Sequence, residues 1–336
     1  MRAGLRALGV AALLGAAACA AVATSTPSVA GPERAIRLEA NRTPLGIGGA
    51  TLAPGVRYAG GLTLRGPGLH GLSDLKIQGD VAWAVSDFGH LIRFTLGLDG
   101  PEGRLVSADQ GVRRELTDTD GIALRVGPNA DAEGLAILPD GRVLVSFERE
   151  HRIWSYGADA NERPVAVAAP DTPLPHNGGF EGLSAAGPNG WLVLAEGGGA
   201  WVCAEACLAL GTGRLVPEDG YSFTGADRDP AGDGWFVVER LYRPPLTLRA
   251  RVRRLSADGV LSAPLIELRP PALVDNFEGI AAVATPGGTR LYLLSDDNGN
   301  PLQKTLLLAF DLDDPSPLAG EGGPEGRMRG TKMRVR

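Results

Sequence analysis

The chain has 336 residues, with 33 basic and 39 acidic side chains and a formal net charge of −6 at pH 7. This acidic balance argues against nucleic acid as a partner, because binding to a phosphate backbone needs clustered positive charge. The 48 glycines and 25 prolines punctuate short apolar runs, and no long stretch keeps a helical apolar period. The composition therefore favours a fold built from short β-strands.

Residues 1–30 have the pattern of a secretory signal peptide. Arg2 and Arg6 form a basic start, an uncharged apolar run continues to about Ala23, and Ser28-Val29-Ala30 suits cleavage after its alanine. No later segment is a run of about 18 uncharged apolar residues, so we predict a mature chain without a transmembrane segment. We expect a periplasmic or secreted protein, with lipid anchoring through Cys19 as the alternative.

From residue 70 onward the chain repeats one pattern five times. Each unit begins with a variant of small residue, acidic residue, glycine and leucine, followed by two apolar runs around a glycine-containing turn. An acidic residue ends the second run, and the turn chemistry predicts an antiparallel hairpin in every unit. The units begin near Gly71, Gly134, Gly182, Gly225 and Gly279.

A third apolar strand follows the hairpin in most units, so each unit is predicted to be an antiparallel meander. Blades of β-propellers occupy about 40–50 residues, and their radial repetition protects the strand edges. We therefore predict an all-β fold over residues 31–314, a propeller of five or six blades with a short closed ring of antiparallel meanders. The segment Val56–Leu64 would supply an outer strand of the last blade, and residues 97–130 leave room for a further hairpin.

The remaining cysteines and the last residues complete the predicted organisation. Cys203 and Cys207 are left after cleavage of the signal, and an even count in an oxidising compartment predicts a disulfide between them. Residues 315–336 are rich in glycine and proline and then in arginine, with almost no apolar side chains. This composition predicts a disordered tail after a single propeller domain.

The acidic motif residues are predicted to meet at one mouth of the central channel. In a hairpin the first strand begins and the second ends at the same edge, so Glu133 opposes Glu148, and Glu181 opposes Glu196. Because the first strand of a blade lines the channel, every unit would deliver its carboxylates near the axis. The predicted funnel consists of Glu133, Glu148, Glu181, Glu196, Glu239, Glu278 and Asp296.

Carboxylates packed in this way repel one another unless something compensates their charge. One compensator is a divalent cation such as Ca²⁺, which prefers carboxylate oxygens. Another is arginine: Arg149 and Arg240 each directly follow an acidic residue and would bind an anionic substrate. A third possibility is that backbone N–H groups satisfy the acids as structural caps. The predicted metal ligands are Glu133, Glu181, Glu278 and Asp296.

Four motifs resemble the phytase-like family, whose members are named for an esterase-like activity of phytase. They lie within Asp131–Ala136, Gly179–Ser184, Thr224–Arg240 and Asn276–Asn298, and the resemblance covers roughly residues 65–312. The resemblance implies a propeller and an exported bacterial protein. The first unit departs from the pattern, because Asp74 or Asp87 must stand in where other units have glutamate before glycine. The motif matches are Glu133, Glu181, Glu239, Arg240, Glu278, Asp296, Asp297 and Asn298.

The leading hypothesis is a hydrolase of phosphate or carboxylate esters at the acidic mouth, with Glu148 or Glu239 as general base. Its substrate would be a small anionic ester. The sequence has no Gly-x-Ser-x-Gly elbow, zinc-protease helix or P-loop, which excludes those chemistries. The alternatives are a non-catalytic propeller that binds an unknown envelope partner, and a lactonase-type propeller that uses Asn298 with carboxylates around one calcium.

Overall fold

The structure is a computed structural model that describes residues 33–124, 127–157, 162–243 and 247–313. The described chain contains strands and turns but no α-helix, and therefore no helix that meets the length and apolarity of a membrane span. The predicted signal peptide at 1–30 and tail at 315–336 lie outside the described residues and stay predictions.

Four strands precede the first repeat unit: β1 (Arg34–Ala35), β2 (Glu39–Arg42), β3 (Ala50–Leu52) and β4 (Val56–Arg65). Blade 1 contains β5 (Leu72–Gln78), β6 (Val81–Ser86), β7 (His90–Asp99) and β8 (Arg104–Glu115). Blade 2 contains β9 (Ala132–Ile137), β10 (Val143–Phe147), β11 (Arg152–Ser155) and β12 (Val165–Ala166).

Blade 3 contains β13 (Phe180–Ala186), β14 (Gly190–Ala195), β15 (Ala200–Cys203) and β16 (Cys207–Ala209). Blade 4 contains β17 (Ser222–Arg228), β18 (Trp235–Arg243), β19 (Thr247–Leu255) and β20 (Ile266–Leu268). Blade 5 contains β21 (Asn276–Thr285), β22 (Gly288–Asp296) and β23 (Thr305–Asp313).

The five blades form a ring, as the sequence repeats predicted. Strands β5, β9, β13, β17 and β21 are the inner strands, and each contacts the inner strands of the two neighbouring blades. Strand β8 is the fourth strand of blade 1 and occupies much of the segment 97–130. The six-bladed alternative was therefore wrong, since this segment completes blade 1 rather than adding another blade.

The N-terminal strands close the ring. Strand β4 pairs with β23 as an outer strand of blade 5, which confirms the prediction for Val56–Leu64, and β2 pairs with β4. Strand β3 extends blade 4 by pairing with β20, and β1 extends blade 1 by pairing with β8. These pairings cover strand edges that would otherwise remain exposed.

The hydrophobic core is divided into five clusters, one at each interface between adjacent blades. Leu135 packs with Val85 between blades 1 and 2, and Leu183 packs with Leu144 between blades 2 and 3. Side chains alternate along each strand, so Ala136, which follows Leu135, lies on the other face of its blade and packs between blades 2 and 3. The alternation thus lets each blade pack against both of its neighbours.

Candidate functional site

Every inner strand has a register shift against its neighbour at the same position, next to the motif glycine or, in blade 1, next to Asp74. Each shift places one extra residue on the inner strand, which defines a β-bulge. Because the first strand of each blade begins at one face of the ring, these bulges all lie at that mouth. The bulged residues are Ser73, Glu133, Glu181, Thr224 and Glu278.

The glycine that follows the bulge is required by the close approach of the next blade. A Cβ atom added to Gly225 would lie 2.1 Å from the carbonyl oxygen of Glu278. A Cβ atom on Gly134 would lie 2.9 Å from the carbonyl oxygen of Glu181. The glutamate-glycine pair therefore combines a channel-facing carboxylate with the one residue type that lets neighbouring blades meet at the narrow axis.

Blade 1 replaces this glycine with Asp74, which is fully buried. Its carboxylate accepts hydrogen bonds from the backbone N–H of Leu135 in blade 2 at 2.8 Å and from Lys76 Nζ at 2.8 Å. Burial raises the pKa of Asp74 to about 7, although the Lys76 ammonium opposes the shift. Asp74 thus joins two blades, and Asp87 is the residue of blade 1 that lies with the mouth acids.

A second set of mouth positions lies at the end of the second strand of each blade. The inner-strand residue before each bulge pairs with a residue of the second strand, and the mouth position is the residue that follows this partner. The set consists of Asp87, Glu148, Glu196, Arg240 and Asp296. In blade 4 this position is held by Arg240, because Glu239 is the residue that pairs with Phe223. The sequence predicted Glu239 for this position of the funnel, which is one residue too early in the chain.

A displacement by one residue moves a strand side chain to the opposite face of its sheet. Glu239 is fully buried and forms a two-pronged ion pair with Arg251, at 2.6 Å to Nε and 3.0 Å to Nη2. Arg253 lies 3.9 Å from the same carboxylate. Glu239 is thus compensated within its own blade, in contrast to the mouth acids.

Two overlapping groups of carboxylates meet on Glu133. Asp87, Asp131 and Glu133 offer oxygen atoms that all lie within 4.8 Å of one another, as do Glu133, Glu148 and Glu181. These five acids, from blades 1 to 3, are called the Glu133 cluster below. The sequence predicted three of these acids, Glu133, Glu148 and Glu181, for the mouth. It placed Asp131 only within a family motif, and Asp87 only as a substitute for the glutamate that other units have before glycine.

At the centre of the cluster, burial and mutual repulsion oppose the negative charge of the carboxylates. Burial raises the pKa of Glu133 well above its usual value, and the nearby carboxylates of Glu181 and Asp87 raise it further. Burial and the charge of Glu278 raise the pKa of Asp87 to about 8. Burial, followed by the charge of Glu196, raises the pKa of Glu181 well above its usual value. Without a cation, burial and mutual repulsion therefore favour the protonated forms of these acids.

Arginines compensate the acids at two places on the mouth. Arg149 Nε lies 2.8 Å from Asp131 and 3.5 Å from Glu148, and its side chain is partly exposed. On the other side of the mouth, Arg240 donates hydrogen bonds to Glu278 and to the side-chain oxygen of Asn276. Both predicted substrate-binding arginines thus lie at the mouth, each already engaged by acids.

The four predicted metal ligands fall into two places. Glu133 and Glu181 lie in the Glu133 cluster. Glu278 instead pairs with Arg240 and accepts a hydrogen bond from Asn276 Nδ2 at 2.8 Å. Asp296 accepts a hydrogen bond from the backbone N–H of Asn298 at 2.7 Å. The Asn298 side chain, the one amide that the lactonase alternative needs, donates to Gln303 at 3.3 Å.

The structure joins the predicted cysteine pair. Cys203 and Cys207 form a disulfide with an S–S distance of 2.03 Å. They face each other across the β15–β16 hairpin of blade 3. The β15–β16 turn is at the end of the ring opposite the mouth, so the disulfide takes no part in the acidic site.

A family model described as "Phytase-like: Esterase-like activity of phytase" matches residues 67–299. The chain belongs to this family. The match spans all five inner strands and both sets of mouth positions. Among proteins of curated function, none matches the sequence.

The solved structures that match this phytase-like chain are remote from it. A provisionally named gluconolactonase has 14% identity and a TM-score of 0.44, and the match covers 82% of this chain and 92% of that one. Virginiamycin B lyase from Staphylococcus aureus has 10% identity, a TM-score of 0.41 and coverage of 82% and 100%. The Malassezia sympodialis allergen Mala s 1 has 15% identity, a TM-score of 0.41 and coverage of 77% and 90%. At this distance the matches say nothing about activity.

The Glu133 cluster fits a hard cation. Its donors are carboxylate oxygens from several blades, which is the ligand type that Ca²⁺ and Mg²⁺ prefer. Burial and mutual repulsion raise the pKa values of Glu133 and Glu181, and a bound cation would relieve both effects. The cluster can therefore hold a metal ion.

Proposed function

We propose that this phytase-like protein is a divalent-cation-dependent hydrolase of phosphate or carboxylate esters. The observation that carries the proposal is the arrangement of the mouth, where the Glu133 cluster of blades 1 to 3 faces the guanidinium of Arg240 from blade 4. Glu196 links the two sides, because its carboxylate lies 3.5 Å from Arg240 and its charge raises the pKa of Glu181. A cation site beside a guanidinium suits an ester that carries or develops negative charge.

Each mouth residue receives a role from its surroundings. The half-buried Glu133 and the buried Glu181 would hold the cation, with Asp87 and Asp131 beside them. A bound cation would polarise the ester and lower the pKa of a water molecule. Arg240 would orient the phosphate or carboxylate oxygens of the substrate.

Glu148 is the candidate general base. Burial and the charge of Asp131 raise the pKa of Glu148 above its usual value, and its side chain is 14% exposed at the edge of the cluster. It would accept a proton from the attacking water and return it to the oxygen of the departing alcohol, so that one ester bond breaks and one water is consumed. Glu239 is not assigned this role, because its carboxylate is held by Arg251.

We propose Ca²⁺ as the cation. The two groups supply carboxylate oxygens alone, and Ca²⁺ accepts six to eight oxygen ligands in flexible geometry. Mg²⁺ demands a tighter octahedron and usually keeps several waters. A calcium requirement also agrees with the proposed periplasmic or secreted location, which the signal-like pattern of residues 1–30 predicts.

The test combines thermal unfolding with an activity screen on the full chain. The protein is purified with chelator, and unfolding is followed with and without added Ca²⁺ or Mg²⁺. Binding to the native state raises the midpoint by mass action. Hydrolysis of 4-nitrophenyl phosphate and 4-nitrophenyl acetate is then measured in the same buffers.

The matched variants are Glu133→Gln at the centre of the cluster and Glu205→Gln in the exposed β15–β16 turn. We expect Ca²⁺ to raise the midpoint and the hydrolysis rate of the parent and of Glu205→Gln, and neither of these for Glu133→Gln. An unchanged midpoint with every cation, together with no ester hydrolysis, would overturn the proposal.

A non-catalytic binding propeller is the second candidate. An exposed apolar patch at the mouth is the feature that would favour it. Tyr242 and Leu302 have 62% and 88% of their surface exposed, and both line a cleft beside Arg240. Stable capture of an envelope protein with no turnover of any ester would favour this candidate over the hydrolase.

A further inference from the structure

Residues 211–214, called the arch below, follow β16, the outermost strand of blade 3. Backbone hydrogen bonds fix both ends of the arch. The N–H of Leu210 donates to the carbonyl oxygen of Ala200 at 2.8 Å, and the N–H of Gly199 donates to that of Leu215 at 2.6 Å. In the described part of the chain, the backbone N–H groups of the arch itself have no hydrogen-bond partner. They are therefore available to a ligand on a segment whose ends are already held in place.

A cavity of about 330 Å³ lies between the arch, the side chain of Trp201 and Thr172. Thr172 belongs to the connection between β12 of blade 2 and β13 of blade 3, so two blades contribute to the cavity. Its volume is near the lower end of the range of about 300–1,000 Å³ that is usual for small-molecule sites. The cavity therefore suits a ligand with a single ring.

The indole ring of Trp201 forms one wall of the cavity and is held in place by its neighbours. Phe180 meets it edge-on, with the ring centroids 6.4 Å apart and the ring planes at 80°. A Cβ atom added to Gly199 would lie 2.2 Å from Cη2 of the indole, so the ring lies directly against the backbone there. The φ of Gly199 is 110°, and both this conformation and the contact require glycine. The partly exposed indole thus offers a planar apolar surface of fixed orientation.

Arg214, the last residue of the arch, supplies the charge of the cavity. Its Nη2 donates a hydrogen bond to the carbonyl oxygen of Gly198 at 3.3 Å, which leaves most of the five N–H donors of the guanidinium available. Among the described residues that line the cavity, none is acidic. The mouth differs, because Arg149 and Arg240 are each engaged by carboxylates there. An anion that enters the cavity therefore meets a guanidinium for which no lining acid competes.

We infer that this cavity binds a small planar aromatic carboxylate. The guanidinium of Arg214 and the N–H groups of the arch hold the carboxylate, and the aromatic ring stacks on the indole of Trp201. One guanidinium balances a single negative charge, which favours a carboxylate over a phosphate that carries nearly two charges at neutral pH. The site lies outside the mouth, so the inference goes beyond the proposed hydrolase and does not depend on it.

The test measures the binding of benzoate to the full chain in chelator, by calorimetry and saturation-transfer NMR. We expect a dissociation constant on the order of millimolar. Cyclohexanecarboxylate, which keeps the charge without the planar ring, should bind about threefold more weakly. Benzyl alcohol, which keeps the ring without the charge, and inorganic phosphate should each bind at least about tenfold more weakly.

Variants locate the binding in the cavity. Arg214→Gln should weaken benzoate binding about tenfold, and Arg214→Lys, which keeps the charge but not the planar fork, should have an intermediate effect. Trp201→Leu should weaken the binding of benzoate more than that of cyclohexanecarboxylate. The controls are Arg34→Gln on the exposed strand β1 of blade 1 and Arg240→Gln at the mouth. Both should bind benzoate as the parent does.

Absence of benzoate binding, unchanged binding by Arg214→Gln, or loss of binding in Arg240→Gln would overturn the inference. Equal or tighter binding of phosphate or benzyl alcohol at the cavity would do the same. Arg214 is exposed, so its variants should fold like the parent, and they decide the result even where Trp201→Leu does not fold. The outcome is separate from that of the proposed hydrolase, because benzoate binding needs neither cation nor turnover.

Discussion

The two halves of the mouth solve the same electrostatic problem in different ways. On blades 1 to 3, the Glu133 cluster gathers five carboxylates, among which Asp131 and Glu148 have one arginine at their edge. On blades 4 and 5, the equivalent positions carry Thr224, Arg240, Glu278 and Asp296, and Arg240 pairs with Glu278. One half can hold a cation from solution, whereas the other pairs an acid with a guanidinium of the chain itself.

The same repeated backbone therefore carries two different arrangements of charge, a carboxylate cluster on blades 1 to 3 and an acid–guanidinium pair on blades 4 and 5. All five blades keep the bulge, and Gly134, Gly225 and Gly279 keep a close approach to the backbone of a neighbouring blade. The side chains at the bulge and after the second strand are free to vary, because they project into the channel. The charge of the mouth therefore differs from blade to blade at these ten equivalent positions.

The largest expected effect separates the two halves directly. Glu133→Gln should lower ester hydrolysis by about 10³-fold, equivalent to about 4 kcal/mol, because the cation loses the carboxylate shared by both groups. Glu278→Gln should keep the Ca²⁺-dependent rise in midpoint, since Arg240 already neutralises that acid. Equal loss of the calcium response in both variants would show that the mouth works as one ring of acids.

A second pair of variants tests the one-residue displacement in blade 4. Glu239→Gln should reduce the free energy of unfolding by about 3 kcal/mol, because the buried Arg251 loses its partner. Glu148→Gln should leave stability nearly unchanged and lower the hydrolysis rate about 10²-fold. Denaturant unfolding and initial rates on the same samples distinguish them. Loss of activity without loss of stability in Glu239→Gln would restore it as a general base.

Replacement of Arg240, the guanidinium that pairs with Glu278 on blades 4 and 5, tests whether this half of the mouth binds an anion. Arg240→Gln should raise the KM for 4-nitrophenyl phosphate about tenfold and change that for 4-nitrophenyl acetate little, because only the phosphate needs the guanidinium. Arg249→Gln, an exposed arginine on the same hairpin, is the control. A KM that rises equally for both esters would argue that Arg240 shapes the mouth rather than binds an anion.

The smallest effect is the pH dependence of stability in chelator. Folding raises the pKa of Asp87 to about 8 and that of Glu133 well above its usual value, so the native state binds more protons than the unfolded chain. The stabilisation is complete below about pH 4 and is lost as the pH rises through the folded values. The midpoint should therefore fall by about 5 °C between pH 5 and pH 8.5.

Added Ca²⁺ should reverse this trend, because it binds the deprotonated acids. Its effect on the midpoint should be larger at pH 8.5 than at pH 5, and Glu133→Gln should lose most of the difference. A midpoint that rises with pH in chelator would contradict the raised pKa values and with them the view of the cluster as uncompensated charge.

The fold could be predicted from the sequence because its signals are local. Turn glycines and alternating apolar runs define each hairpin, and the segment Val56–Leu64 is recognisable as a strand without a hairpin partner of its own. The number of blades could not be settled, since residues 97–130 carry no turn signal that distinguishes a fourth strand from a new blade. Only the pairing of β8 with β7 decides it.

The site was predictable in outline but not in register. Glu133, Glu148 and Glu181 were found because two hairpins with clear turns place them opposite one another. Glu239 was misplaced because the motif of blade 4 has Thr224 at the bulge and offers no acid to align against. Asp131 was missed as a site residue, although its position two residues before Glu133 in a family motif was a usable signal.

The N-terminal strands carry a consequence for the order in which the ring forms. Strands β1 to β4 complete blades 1, 4 and 5, so the first part of the described chain reaches three of the five blades. Leu64 pairs with Thr305, near the opposite end of that chain, and contacts so distant in sequence are slow to form. Strand β4 is synthesised early but cannot pair until β23 exists. Closure of the ring through this pairing therefore comes after synthesis of the last described strand.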